Sequence, residues 1–126
     1  MANLVGRWKL IEARAFDETG NELEPPLGEN PMGLIFYEAE RMMVAVCDGS
    51  STLPAEAAQR AFVCYIGSYQ FDGEMLIVQV DSASSPEFLA DQVRRIRFEH
   101  PDRYVALPLS ADGRNSGLRL TWERIS

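Results

Sequence analysis

Along most of the chain, apolar and polar side chains alternate with a period of two, in short runs stopped by turn-forming residues. The clearest run is Gln92 to Glu99, where Ile96 and Phe98 share one face with Gln92 and Arg94 while Arg95, Arg97 and Glu99 occupy the other. Eight such runs predict strands at roughly Val5–Ala15, Gly33–Tyr37, Arg41–Cys47, Tyr65–Phe71, Met75–Val80, Gln92–Glu99, Arg103–Leu109 and Leu118–Ile125. Asp72-Gly73, His100-Pro101-Asp102 and Ala111-Asp112-Gly113 carry turn chemistry, so consecutive strands pair as an antiparallel meander. Left open, that meander would expose two strand edges. Closing it removes both, which predicts one all-β domain over residues 1–126, an eight-stranded antiparallel up-and-down barrel. Such a barrel is either packed solid or holds one small ligand.

Two connectors are longer. Phe16 to Met32 contains Pro25, Pro26 and Pro31, cannot be a strand, and is expected to form a lid. Pro54 to Ala61 combines a proline near a first turn with strong helix formers, which predicts one short helix. Charge is unevenly placed: Asp17 to Glu40 holds seven acids and no base, whereas Arg94 to Arg124 holds seven arginines against four acids.

The 126 residues, 46% of them hydrophobic, suffice for one buried core and exclude a disordered chain. A net charge of −7 argues against nucleic acid, whose binding depends on neutralising phosphates. No stretch reads as a signal or membrane span, so no membrane partner and a cytoplasmic location are expected. Cys47 and Cys64 lack metal-ligand spacing and are expected as reduced thiols, with no metal and no cofactor implied. The basic side chains are eleven arginines and Lys9, leaving little scope for Schiff-base chemistry. His100 lies in a turn, and no nucleophile–base arrangement can be built around it.

Gly6-Arg7-Trp8 in the first strand and Arg124 at the end of the last resemble the G-x-W signature and its arginine in lipocalins. Further segments resemble the bacterial lipocalin-like domain family in the same order: Gly33-Leu34-Ile35-Phe36-Tyr37, Tyr65-Ile66-Gly67-Ser68-Tyr69, Asp91-Gln92-Val93-Arg94-Arg95 and Leu120-Thr121-Trp122-Glu123-Arg124. The resemblance implies a barrel with a cavity for a small, mostly apolar molecule. It departs from secreted lipocalins, which carry a signal peptide and a helix after the last strand, and its second hairpin, Glu38-Ala39-Glu40-Arg41, lacks the usual glycine. Trp8 and Arg124 are expected to close the narrow end by cation–π stacking.

If Trp8 points inward, unbroken alternation also sends Leu10, Glu12, Arg14 and Phe16 inward unless a bulge intervenes. Arg94 faces inward by the parity of its own strand. A charge inside a barrel must meet a partner, water or a ligand, so a polar cluster of Glu12, Arg14 and Arg94 in an apolar cup is expected, either as an internal ion pair or as ligand recognition. Apolar walls are expected from Leu10, Phe36, Val44, Phe71, Ile96 and Phe98, with Leu120 from the last strand. Tyr69 and Tyr104 are core residues with hydroxyls available to a ligand. In the third strand, either Met42, Val44 and Val46 or Met43, Ala45 and Cys47 form the inner stripe.

The function expected is binding of a small hydrophobic ligand with a polar end. The alternative is a cofactor-independent isomerase, cyclase or lyase with Glu12 and Arg94 as catalytic candidates, where desolvation would raise the Glu12 carboxyl. A solid barrel used for surface contacts is a third reading. Self-association as a homodimer is the one protein partnership left open.

Overall fold

A computed structural model describes residues 3–50, 61–110 and 112–126. The strands are β1 (Gly6–Ala15), β2 (Pro31–Tyr37), β3 (Arg41–Asp48), β4 (Phe62–Phe71), β5 (Met75–Ala83), β6 (Gln92–His100), β7 (Arg103–Pro108) and β8 (Leu118–Arg124). Each pairs antiparallel with the next, and β8 returns to β1, giving a closed barrel in sequence order. A single 3₁₀ turn, Pro86–Phe88, lies between β5 and β6. The helix expected at Pro54 to Ala61 falls almost wholly outside the described residues. No helix among the described residues is long and apolar enough to cross a membrane.

One end of the barrel is sealed by aromatic side chains. Trp8 is fully buried, its ring lies 4.7 Å edge-on from that of Tyr104, and its indole N–H donates to the Leu4 carbonyl at 2.8 Å. The Arg124 guanidinium sits 4.3 Å over the Trp8 ring and donates to the carbonyls of Val5 and Asn3 and to Asp102 Oδ1. One side chain thus fastens the chain's first residues and the β6–β7 turn to the base of the barrel. Gly6 is required here: its φ is +135°, and a Cβ would come within 2.6 Å of the Arg124 guanidinium. Phe71 and Phe98 complete this floor, with ring centroids 6.3 Å apart.

The β2–β3 turn manages without glycine. Glu38 N–H donates to the Arg41 carbonyl, and the neighbouring strand holds the turn in place: Tyr69 N–H donates to the Glu40 carbonyl and the Tyr69 hydroxyl donates to the Glu38 carbonyl.

The first strand breaks its alternation. Leu10 pairs with Trp122 and Glu12 with Thr121, so Ile11 is an extra residue, a β-bulge that reverses the parity of everything after it. Ala13 is consequently buried, while Glu12 and Arg14 face outward. The expectation that unbroken alternation carries both charges into the barrel is therefore corrected, and so is that for Phe16, whose ring lies outside between the guanidinium groups of Arg14 and Arg119. Arg14 instead makes a two-point contact with Glu22 of the following loop, at 2.9 and 2.6 Å.

Candidate ligand-binding cavity

Opposite inward positions stack in register across β1, β2, β3 and β4 as Trp8, Ile35, Val44 and Tyr65. Directly opposed residues on paired strands face the same side, so burial of Trp8 places the other three inside. Met42, Val44 and Val46 form the inner stripe of β3, and Met43, Ala45 and Cys47 the outer one. Above the aromatic floor these walls enclose a cavity of about 280 Å³, just under the range of roughly 300–1,000 Å³ typical of small-molecule sites.

Among the described residues its cover comes from two connectors. The loop between β1 and β2 first extends β1 by a bridge between Phe16 and Glu22, then turns at Pro25, where Gly28 N–H donates to the Pro25 carbonyl. That turn lays Pro26 and Leu27 on the cavity, and Leu27 is only 8% exposed. Phe88, from the 3₁₀ turn, contributes an aromatic edge beside them.

Among the residues named from sequence, Val44, Arg94, Ile96, Tyr104 and Leu120 line the cavity. Leu10 is buried but belongs to the packed core beside it, and Phe71 and Phe98 belong to the floor. Tyr69 is spent on the β2–β3 turn, with its ring 5.2 Å from that of Tyr37. Phe36 is placed wrongly by the sequence reading: it is 40% exposed on the outer face, because Ile35 and Tyr37 take the inward positions of β2. Glu12 and Arg14 do not reach the cavity, so no internal pair between Glu12 and Arg94 forms.

What the sequence reading missed is a tyrosine cluster. Tyr37 and Tyr104 are buried with their hydroxyls 3.0 Å apart, and Tyr65 joins them on the lining. Burial pushes the Tyr37 and Tyr104 phenols well above their ordinary range, so both keep their protons near neutral pH. Arg94 reaches into the same space: its Nη2 lies 3.5 Å from the Tyr65 hydroxyl and 3.1 Å from Gln92 Oε1, and its Nη1 donates to the Val93 carbonyl. Gln92 is itself held by bonds from its Nε2 to the Ala90 and Phe88 carbonyls, so the glutamine orients the arginine. Among the described residues no carboxylate pairs with Arg94, and no group of three or more metal-ligating side chains occurs.

A closed antiparallel barrel with an apolar interior hollow, into which Arg94 projects among the described residues, defines the class of eight-stranded barrels built around a cavity. The lipocalin-like domain family matches residues 5–125, and the chain belongs to that family. A solved structure of a redesigned beta barrel is similar over 98% of this chain and 92% of its own, with a TM-score of 0.50 and 14% identity, a likeness of fold alone. Compared with curated proteins, the sequence finds no match.

Proposed function

We propose that the barrel binds a small, mostly hydrophobic molecule in its interior, with the molecule's polar end at Arg94. One observation carries this reading: a guanidinium with no carboxylate partner among the described residues projects into a cavity whose other described lining is almost wholly apolar. An arginine remains charged under all ordinary conditions, and placing it in an apolar hollow costs free energy that an occupant can offset. The hollow has a cost of its own. A space of about 280 Å³ left unfilled forgoes the packing contacts that a solid interior would make. That argues against a barrel selected to be solid.

An acid–base enzyme built on Glu12 does not go with this geometry, because the bulge places that carboxylate on the outside. Binding is the function the site supports. The outward, unpaired thiols of Cys47 and Cys64 fit a reducing compartment such as the cytoplasm.

The test is titration with octan-2-one, a neutral ketone that can quench indole emission. Trp122 lines the cavity and Trp8 lies in the floor, so saturable quenching is expected that is lost on Trp122→Phe. Ala106→Phe, which fills the cavity from β7, is expected to abolish binding with the strand circular-dichroism signal retained. Unchanged binding in a folded Ala106→Phe protein would refute an interior site.

A further inference from the structure

We infer that the polar end of the ligand is a carboxylate, seated between Arg94 and the Tyr65 hydroxyl; the inference rests on the interior being the binding site. The argument is an account of donors and acceptors. Arg94 has five N–H donors, and the contacts to Val93, Gln92 and Tyr65 leave at least two of them without an acceptor among the described residues. The Tyr65 hydroxyl accepts from Arg94 and its own proton goes to no described acceptor. Tyr37 and Tyr104 share a single hydrogen bond, which consumes one proton of two, so one phenol proton is also unspent. The indole N–H of Trp122, a fourth lining group, donates to nothing described.

On the other side of the account there is almost nothing. No aspartate, glutamate, asparagine or glutamine appears among the described lining residues, and Gln92 Oε1 already accepts from Arg94. Each unfilled polar side chain on the described lining can therefore donate, the phenol oxygens are the acceptors set against them, and one of the donors carries a positive charge. An ammonium would be repelled by Arg94 and find only phenol oxygens. An alcohol would bring a surplus donor. A carboxylate brings acceptor sites alone and the compensating charge, and a guanidinium fork matches it at two points. Gln92, tied to the backbone at both carbonyls, is then a positioning residue that keeps the fork aimed.

The experiment is calorimetric titration of the full chain with four molecules sharing an eight-carbon body: octanoate, octan-2-one, octan-1-ol and octylammonium. Octanoate is expected to bind about ten- to a hundredfold more tightly than the alcohol, the span of a charge-assisted hydrogen bond, and octylammonium most weakly. In Arg94→Met the four affinities are expected to converge, and in Arg94→Lys the order is expected to survive with a smaller spread. If the Met variant does not fold, the series on the unaltered chain decides alone. Equal affinities for octanoate, the ketone and the alcohol would overturn the carboxylate while leaving the cavity intact as a site. Tightest binding of octylammonium would overturn it as well. Failure of all four to bind would remove the interior site itself.

Discussion

The wall made by β2, β3 and β4 and the wall made by β6 and β8 differ in what they show to water. On β6 the outer positions Arg95, Arg97 and Glu99 alternate with Arg94, Ile96 and Phe98, and on β8 Glu123 is paired outside with Arg103 at 2.7 Å. Across the other wall, the outer row Phe36, Met43 and Ile66 runs directly opposite in register, followed by the row Leu34, Ala45 and Cys64. Phe36, Met43, Ile66 and Leu34 are each more than a third exposed. One wall has a charged exterior that announces which way its side chains point. The other is apolar on both faces through these two rows, so there only the register reveals its inside.

The largest expected effect tests that difference within one strand. Val44 is 5% exposed inside β3 and Met43, its neighbour, is 47% exposed outside. Val44→Asp places an unpaired carboxylate against the cavity and is expected to cost about 3–5 kcal/mol in urea denaturation, whereas Met43→Asp is expected to change stability by no more than about 0.5 kcal/mol. A larger loss in Met43→Asp than in Val44→Asp would mean that the inner and outer faces of this wall have been exchanged. Arg124→Met comes next. Removing a guanidinium that ties two segments to the floor is expected to cost about 2 kcal/mol, read by the same measurement.

A smaller effect concerns pH, and it separates the two walls. Hydrogen bonding from Arg103 holds the Glu123 carboxyl below its ordinary range, and bonding from Arg14 does the same for Glu22. Asp72 and Asp112 are also lowered, by the Met75 backbone N–H and the Ser110 hydroxyl respectively. A carboxyl lowered by folding contributes its stabilisation fully above its unfolded pKa, near 4, and loses it as pH falls through the folded value. The melting temperature is thus expected to decline below about pH 4, less steeply in Glu123→Gln. None of these groups stands on the outer rows of β2 to β4, so amide exchange in acid is expected to rise first near β8, β1 and the turns. The least effect is expected from Glu12→Gln, whose exposed side chain should leave both octan-2-one affinity and stability nearly unchanged.

Much of the architecture is legible without coordinates. Alternation in β6 and β8, together with turn chemistry at Asp72-Gly73 and His100-Pro101-Asp102, suffices for strand order, and the edge argument suffices for closure. The prolines at 25 and 26 mark the cover of the cavity because two successive residues without an N–H cannot sustain a strand ladder. Arg94 is legible as an inward charge because it shares a face with Ile96 and Phe98 while Arg95, Arg97 and Glu99 take the other. Glu12 and Arg14 are misread because a bulge leaves no compositional trace: Ile11 is as good a strand residue as any other. Tyr37 is overlooked because β2 is apolar at every position near it, so period two cannot choose between Phe36 and Tyr37. Phe88 lies in a 3₁₀ turn of three residues, too short to show any period.

The seam between β1 and β8 has a kinetic meaning. Seven of the eight junctions join strands adjacent in the chain, while this one brings Trp8 opposite Arg124 and Ala15 opposite Leu118. Bringing such distant segments together requires closing a loop of more than a hundred residues, an entropy loss that none of the successive pairings faces. During refolding the meander can zip up from any turn, but the hollow has no inside until this last stitch is made. Burial of Trp8 by Arg124 should then report completion of the ring, arriving later than the bulk of strand formation.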